Sequence, residues 1–193
     1  MAAHPAVKSG LKILTLSGSL RADSINCAFC RATAALAPPG VHVEVYSGLG
    51  EMPLYNHDME TSPPPAVKRL RVAIRDTDAL LIASPEYAHG ISGVMKNALD
   101  WLVSYEPTVR KPAAIVNTSP RAHHAYDALR EILTTMSVDI VGSASLTVPL
   151  LGTSTTEADM LGSAYVSRMI GEMIGALVLH VQGRDTPSAS FPM

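Results

Sequence analysis

The chain has 193 residues, 47% of them apolar, with 15 basic against 17 acidic side chains and a formal charge of -2. That length suits one domain of roughly 100–200 residues, with a core large enough to need neither disulfides nor a structural metal. A near-balance of charge with no long run of either sign excludes the usual signatures of nucleic-acid and anionic-membrane binding, and leaves small molecules as the expected partners.

Residues 1–10 are small and polar, with no apolar run before Leu11, so no secretory leader is expected and the expected location is cytoplasmic. From there apolar, β-branched runs alternate with segments of helical period. Strands are predicted over 11–16, 41–46, 79–83, 113–117 and 141–147, and helices over 24–36, 66–76, 92–103, 122–136 and about 156–179. Continuous apolar strands alternating with helices are the pattern of a parallel sheet covered on both faces, and short connections make the crossovers right-handed. The fold predicted is therefore α/β: a flavodoxin-like, doubly wound, five-stranded parallel sheet of order 2-1-3-4-5 with helices on both faces.

The apolar stretch 169–181 contains Glu172 and His180 and falls short of the roughly 20 apolar residues that span a bilayer, so it reads as a core helix and no membrane partner is expected. No repeat or domain boundary interrupts the chain. One domain is expected over 1–193, with its core over about 11–181 and a mobile Pro/Ser tail over 184–193. Cys27 and Cys30, spaced C-x-x-C inside the first helix, read as small apolar groups rather than a redox couple.

In an open α/β sheet a ligand sits beyond the carboxyl ends of the strands, at the point where strand order reverses. The loop after the first strand runs Ser17-Gly18-Ser19-Leu20-Arg21-Ala22-Asp23-Ser24-Ile25-Asn26. Gly18 admits close backbone approach, Ser19, Ser24 and Asn26 supply donors, Arg21 supplies a charged fork, and the following helix aims unpaired N–H groups at the same place. Those groups suit a phosphate monoester. A plainer reading stays open here, in which Ser24 or Asp23 caps the helix and Ser17-Gly18 is an ordinary turn. The loop has neither the Gly-Lys-Ser/Thr ending of a triphosphate-binding loop nor dinucleotide G-x-G-x-x-G spacing.

After the third strand comes Pro85-Glu86-Tyr87-Ala88-His89-Gly90, then Gly93-Val94-Met95-Lys96-Asn97-Ala98-Leu99-Asp100-Trp101. Together with the first loop, this resembles the NAD(P)H-dependent FMN reductase family, which includes chromate, quinone and azo reductases. That family shares S-G-S-L-R-x-x-S-x-N after strand one and P-E-Y followed by G-x-x-K-N-x-x-D-W after strand three. The resemblance extends from about Leu11 to Leu146. It implies FMN as cofactor, NADPH or NADH as co-substrate, a small-molecule electron acceptor, and a homodimer or homotetramer. It further implies that Ser19, Arg21, Ser24 and Asn26 hold the FMN phosphate, and that Pro85, Glu86 and Tyr87 form the turn against the flavin ring. Ser119, which opens a Ser-Pro turn after the fourth strand, joins them. No side chain is expected to act as acid or base, because the flavin organises the reaction, and no metal is expected. A flavodoxin-like electron carrier and a cofactor-free relative are the alternative functions.

Two departures bear on the site. Ala88 stands where the family often has Asn, and the stretch 119–125 lacks the family's glycines and carries His123 and His124 instead. The shape of that side of the pocket is accordingly expected to differ from the family pattern.

Overall fold

The computed structural model describes residues 10–150 and 155–184. A parallel sheet of order β2-β1-β3-β6-β7 runs through the middle, formed by β1 (Leu11–Ser17), β2 (Val41–Tyr46), β3 (Ala79–Ala83), β6 (Pro112–Asn117) and β7 (Asp139–Ile140), with β8 (Leu146–Thr147) also pairing with β6. A separate two-stranded antiparallel hairpin comprises β4 (Glu86–Tyr87) and β5 (Gly90–Ile91). The helices are α1 (Ile25–Ala35), α2 (Pro65–Arg75), α3 (Gly93–Asp100), α4 (His123–Thr135), α5 (Glu157–Gly162) and α6 (Ala164–Arg184). The predicted tail over 184–193 lies, apart from Arg184 itself, outside the described residues.

The central strands show why continuous apolar runs were needed. Successive side chains of a strand point to opposite faces, and here each face is covered. Ile13, Leu81, Ala114 and Val116 pack with Phe29, Cys30, Met173 and Ile174 beneath α1 and α6. Their neighbours Leu14, Leu80, Ile82 and Ile115 pack with Leu70, Ile74, Met95, Trp101 and Leu129 beneath α2, α3 and α4.

The predicted fifth strand is not continuous. Of 141–147 only the end, Leu146–Thr147 (β8), is strand; β7 lies just before it at Asp139–Ile140, and a 3₁₀ turn at Gly142–Ala144 separates the two. Gly and Ser are poor strand formers, and Ser145 makes the break tolerable: its Oγ accepts the Ile115 N–H at 3.0 Å and donates to the Val141 carbonyl at 3.0 Å. A side chain thus completes the ladder where backbone would have done so in an unbroken strand.

The predicted last helix is likewise two. Ser163 adopts an extended conformation between α5 and α6, and its Oγ accepts the Val166 N–H at 3.4 Å. Thr156 and Asp159 form a reciprocal capping box at the start of α5. The longer α6 has 21 residues, so the length argument made for 169–181 does not hold: by length and composition this helix could cross a membrane. Its buried residues Val166, Ile170, Met173, Ile174, Leu177 and Val178 form one stripe in the core beneath the sheet.

A polar knot fastens the long connection after β2. Glu60 Oε2 accepts from Arg71 Nη2 at 2.9 Å and from Ser104 Oγ at 2.9 Å, Arg71 also donates to the Trp101 carbonyl at 2.7 Å, and the Tyr105 hydroxyl donates to the Arg71 carbonyl at 3.0 Å. Arg71 and Glu60 are only 14% and 15% exposed. Burial alone would raise the Glu60 pKa, but the hydrogen bonds from Arg71 and Ser104 outweigh it and hold the carboxyl below its ordinary 4.5. A depressed carboxylate contributes stability that is present above the unfolded value and lost as pH falls through the folded one. Glu60→Gln is therefore expected to cost about 1–3 kcal/mol at neutral pH, with the gap from wild type narrowing as denaturant unfolding is repeated from pH 6 down to pH 3. A constant gap would count against the ion pair as its source.

Candidate functional site

The loops after β1, β3 and β6 gather at the carboxyl edge of the sheet. Gly18 continues the β1–β3 ladder by one residue, its N–H donating to the Ala83 carbonyl at 2.8 Å. It passes through a gap that a side chain would fill: a Cβ there would lie 2.6 Å from Ser84 Oγ and 2.7 Å from Ser92 Oγ. Ser92 is not free to retreat, because its Oγ caps α3 by accepting the Met95 N–H at 3.2 Å.

Beyond Gly18 the loop folds on itself. The Ser19 N–H donates to Ser17 Oγ at 3.3 Å, and Ser19 Oγ accepts the Arg21 N–H at 3.4 Å. Below the loop, Cys27 Sγ donates to the Ser19 carbonyl at 3.2 Å and lies 3.1 Å from Ser17 Oγ. Cys30 is wholly buried, and desolvation pushes its thiol up to about 12. The C-x-x-C pair therefore divides into a prop for the loop and a core thiol that stays protonated. Ser24 does cap α1, its Oγ accepting the Cys27 N–H at 3.4 Å. The plainer reading is thus correct for this residue, yet the hydroxyl proton stays available to a ligand. Asn26 is buried, with Oδ1 accepting from Thr118 Oγ1 at 3.0 Å, which ties α1 to the loop after β6.

Six of the eight residues predicted for the site divide between two neighbouring clefts, and Ser19 and Tyr87 line neither. Asn26, Pro85, Glu86 and Ser119 line one of about 300 Å³ with Thr118 and Arg121. Arg21 and Ser24 line the other, of about 740 Å³, with Arg31 and Glu157. Ile25 belongs to both. Ser19 is buried under its own loop, and Tyr87 stands 53% exposed on the hairpin.

The turn after β6 lacks glycines but is held by one side chain. Asn117 Oδ1 accepts the Ser119 N–H at 3.0 Å, and its Nδ2 donates to the Ala122 carbonyl at 3.3 Å. Ala122, at the N-cap of α4, makes no side-chain cap. Glu86 supplies one from the hairpin: its Oε2 accepts the Ala125 N–H at 2.9 Å. An acidic group at the positive end of a helix is doubly suited, as acceptor and as charge.

Sequence reasoning missed the hairpin itself. Tyr87 pairs with Gly90 across the two-residue turn Ala88-His89, whose φ values are 49° and 57°. Consecutive left-handed residues make a turn of the type that Asn-Gly favours, and neither Ala nor His is at ease there. An Asn at 88 would therefore suit the backbone of this turn better than Ala does. The other side of the site is braced by α3. Asn97 Nδ2 and Trp101 Nε1 both donate to the Pro53 carbonyl, at 3.0 and 2.9 Å, while Asn97 Oδ1 accepts the Tyr55 N–H at 2.8 Å. Trp101 is fully buried and meets Tyr55 edge-on at 5.0 Å. These residues fasten α3 to the segment at Pro53 and Tyr55.

Three kinds of similarity bear on this geometry. Residues 11–151 match the family model described as NADPH-dependent FMN reductase. An NAD(P)H-dependent FMN reductase of Pseudomonas aeruginosa is 45% identical over 112 residues, 56% of this chain and 60% of the relative. An NADPH:quinone oxidoreductase of Arabidopsis thaliana is 41% identical over 125 residues, 61% of this chain and 63% of the relative. The match thus spans about three fifths of each of these curated relatives. Among solved structures, the flavoenzyme NAD(P)H:(acceptor) oxidoreductase of Paracoccus denitrificans superposes with a TM-score of 0.79 at 24% identity, covering 90% of this chain and 98% of the other. At that identity the likeness establishes the fold.

Two substitutions test the geometry. Gly18→Ala should cost about 1–3 kcal/mol in denaturant unfolding, because the new methyl must displace Ser84 or the α3 cap; wild-type stability would mean the gap is wider than described. Ala88→Asn should stabilise the protein by about 1 kcal/mol, raising the thermal midpoint by roughly 2–4 °C, and an unchanged midpoint would show the turn to be unstrained.

Proposed function

The chain belongs to the NADPH-dependent FMN reductase family, and on that premise we propose that it is an NAD(P)H-dependent flavoprotein reductase acting on a small acceptor: a quinone, an azo compound, a metal oxyanion or free flavin. The observation that carries the reading is the gap at Gly18, where backbone passes between Ser84 and Ser92 at the end of β1, at the start of the loop that leads to the Ser24 cap of α1. The loop N–H groups of Gly18, Ser19 and Arg21 are already paired within the protein, so an anion here would be met by the Ser24 hydroxyl, the Arg21 guanidinium and the start of α1.

In this reading Ser19, Arg21, Ser24 and Asn26 hold the FMN phosphate. Arg21 is exposed at the loop and supplies the charge, Ser24 donates its remaining proton, and the amide nitrogen of Asn26 donates while its oxygen stays with Thr118. Pro85, Glu86 and Tyr87 lie against the ring. The Glu86 carboxylate is occupied by Ala125, so this turn meets a ligand with its backbone groups and the Tyr87 ring, held rigid in advance. Ser119, fixed by Asn117, closes the opposite wall. Bound FMN would supply the redox chemistry, taking hydride from reduced nicotinamide and passing electrons to the acceptor. The protein binds, orients and excludes water, and no side chain need transfer a proton.

The exposed apolar side chains Leu20, Leu54, Tyr55 and Tyr87 on these loops suit cover by a second copy, in a homodimer or homotetramer. A cytoplasmic location accompanies the reading, since the reaction draws on reduced nicotinamide.

The purified protein is expected to be yellow, or to become so with FMN, and NADPH or NADH should bleach the flavin band promptly. Failure to bind FMN would defeat the reading, and binding without bleaching would indicate an electron carrier. Arg21→Ala should weaken FMN by about 1.5–3 kcal/mol, the worth of one charge-assisted hydrogen bond; unaltered affinity would put the phosphate elsewhere.

A further inference from the structure

Three imidazoles meet between the hairpin turn and the start of α4. The His89 ring stacks on that of His124 with centroids 4.3 Å apart and planes inclined by 26°, and the His123 ring also touches His124, at 4.0 Å and 37°. The first comes from the left-handed turn of the hairpin, the other two from the first turn of α4. We propose that this stack positions the Glu86-Tyr87 strand against α4, with His124 as the shared residue, and that it does so only while the imidazoles are largely uncharged.

The hairpin needs such a hold. It has two residues per strand, a length that is not stable by itself in water, and its turn consists of two residues that resist left-handed φ. A strained segment persists only where its surroundings over-determine it. Ile91 packs against the core that includes Leu129 of α4, and two further contacts between hairpin and helix meet that need: the Glu86 bond to the Ala125 N–H and the His89–His124 stack. The bond fixes one strand, and the stack fixes the turn.

Charge decides whether the stack holds. Unperturbed histidine titrates near pH 6.5. One proton on the shared ring leaves an imidazolium beside two neutral rings, which sets no like charges together. Protons on adjacent rings set like charges about 4 Å apart, at the positive end of a helix dipole. Arg121, just before α4, adds a further positive charge. Glu86 on the hairpin and Asp127, one helical turn along α4, oppose it, but the Glu86 carboxylate is already engaged by Ala125. Acid therefore splits the stack and releases the hairpin turn.

The inference rests on the flavin reading for its consequence at the ligand, but not for the contact itself, so the test has two arms. In the first, FMN affinity is measured at pH 7.5 and pH 5.0 for wild type, His124→Phe and His124→Ala. Phe keeps a ring at the shared position and removes its charge, while Ala removes both. The acid-induced loss of affinity should be about tenfold greater in wild type than in His124→Phe, equivalent to one pKa unit of coupling, and His124→Ala should bind more weakly than His124→Phe at pH 7.5. Titration of the FMN phosphate and of other histidines is common to all three proteins and cancels. Equal pH ratios for wild type and His124→Phe would overturn the proposal.

In the second arm, amide hydrogen exchange of residues 87–91 and of Ala125 is followed without FMN and corrected for intrinsic rates. Protection should fall between pH 7.5 and 5.0 in wild type but not in His124→Phe, and equal behaviour would overturn the proposal. If wild type binds no FMN at either pH, the flavin reading fails while this arm still decides the stack.

Discussion

The site rests on a clearance. Where the two central strands end, backbone must pass between Ser84 and Ser92, and a residue with a Cβ would have to push one of them aside. The consequences spread because each wall of the gap has another task. Ser92 is the cap of α3, Ala83 is the last residue of β3 and receives the Gly18 N–H, and the chain leaving Gly18 must reach the N-terminus of α1 within a few residues. The positions of two helices and the central pair of strands are thereby referred to one point. A loop held in this way is rigid before any ligand arrives, so little ordering cost is left for binding.

Most of the architecture was legible because it follows from local pattern. Strands covered on both faces read as largely apolar runs, and 11–16, 79–83 and 113–117 do so apart from Lys12, Thr15 and Asn117. Helices α1 to α4 lie within a few residues of where periodicity and caps put them. The last strand and last helix failed for different reasons. Ser145 replaces a backbone partner with a hydroxyl, a substitution that exists only once β6 is alongside. The break at Ser163 was signalled by Gly162-Ser163, a stop followed by a cap, but the apolar residues on either side obscured it.

The site divides along the same line. The first loop could be read because its donors are close in sequence. Glu86 could not be assigned its task, since the helix it caps begins 37 residues away and advertises its need only by having Ala122 where a polar cap is usual. Nor could Ala88-His89 be recognised as a hairpin turn without the Asn-Gly signal that normally marks one. The family resemblance marked Ala88 and the glycine-poor loop as departures, and the structure links them: strained turn, borrowed cap and histidine stack are all parts of one junction between hairpin and helix.

The interruption of the final strand also bears on solubility. An open sheet exposes rows of unsatisfied backbone groups at its margins, and long flat margins invite pairing between molecules. At one margin of this sheet the strands are two residues each, separated by a 3₁₀ turn, so an incoming chain finds no run of groups in register. At the other, β2 turns His42 and Glu44 outward between buried valines, leaving charge or polarity where a foreign strand would have to dock. A parallel sheet, exposed while its distant strands find one another, has reason to guard both margins against self-association.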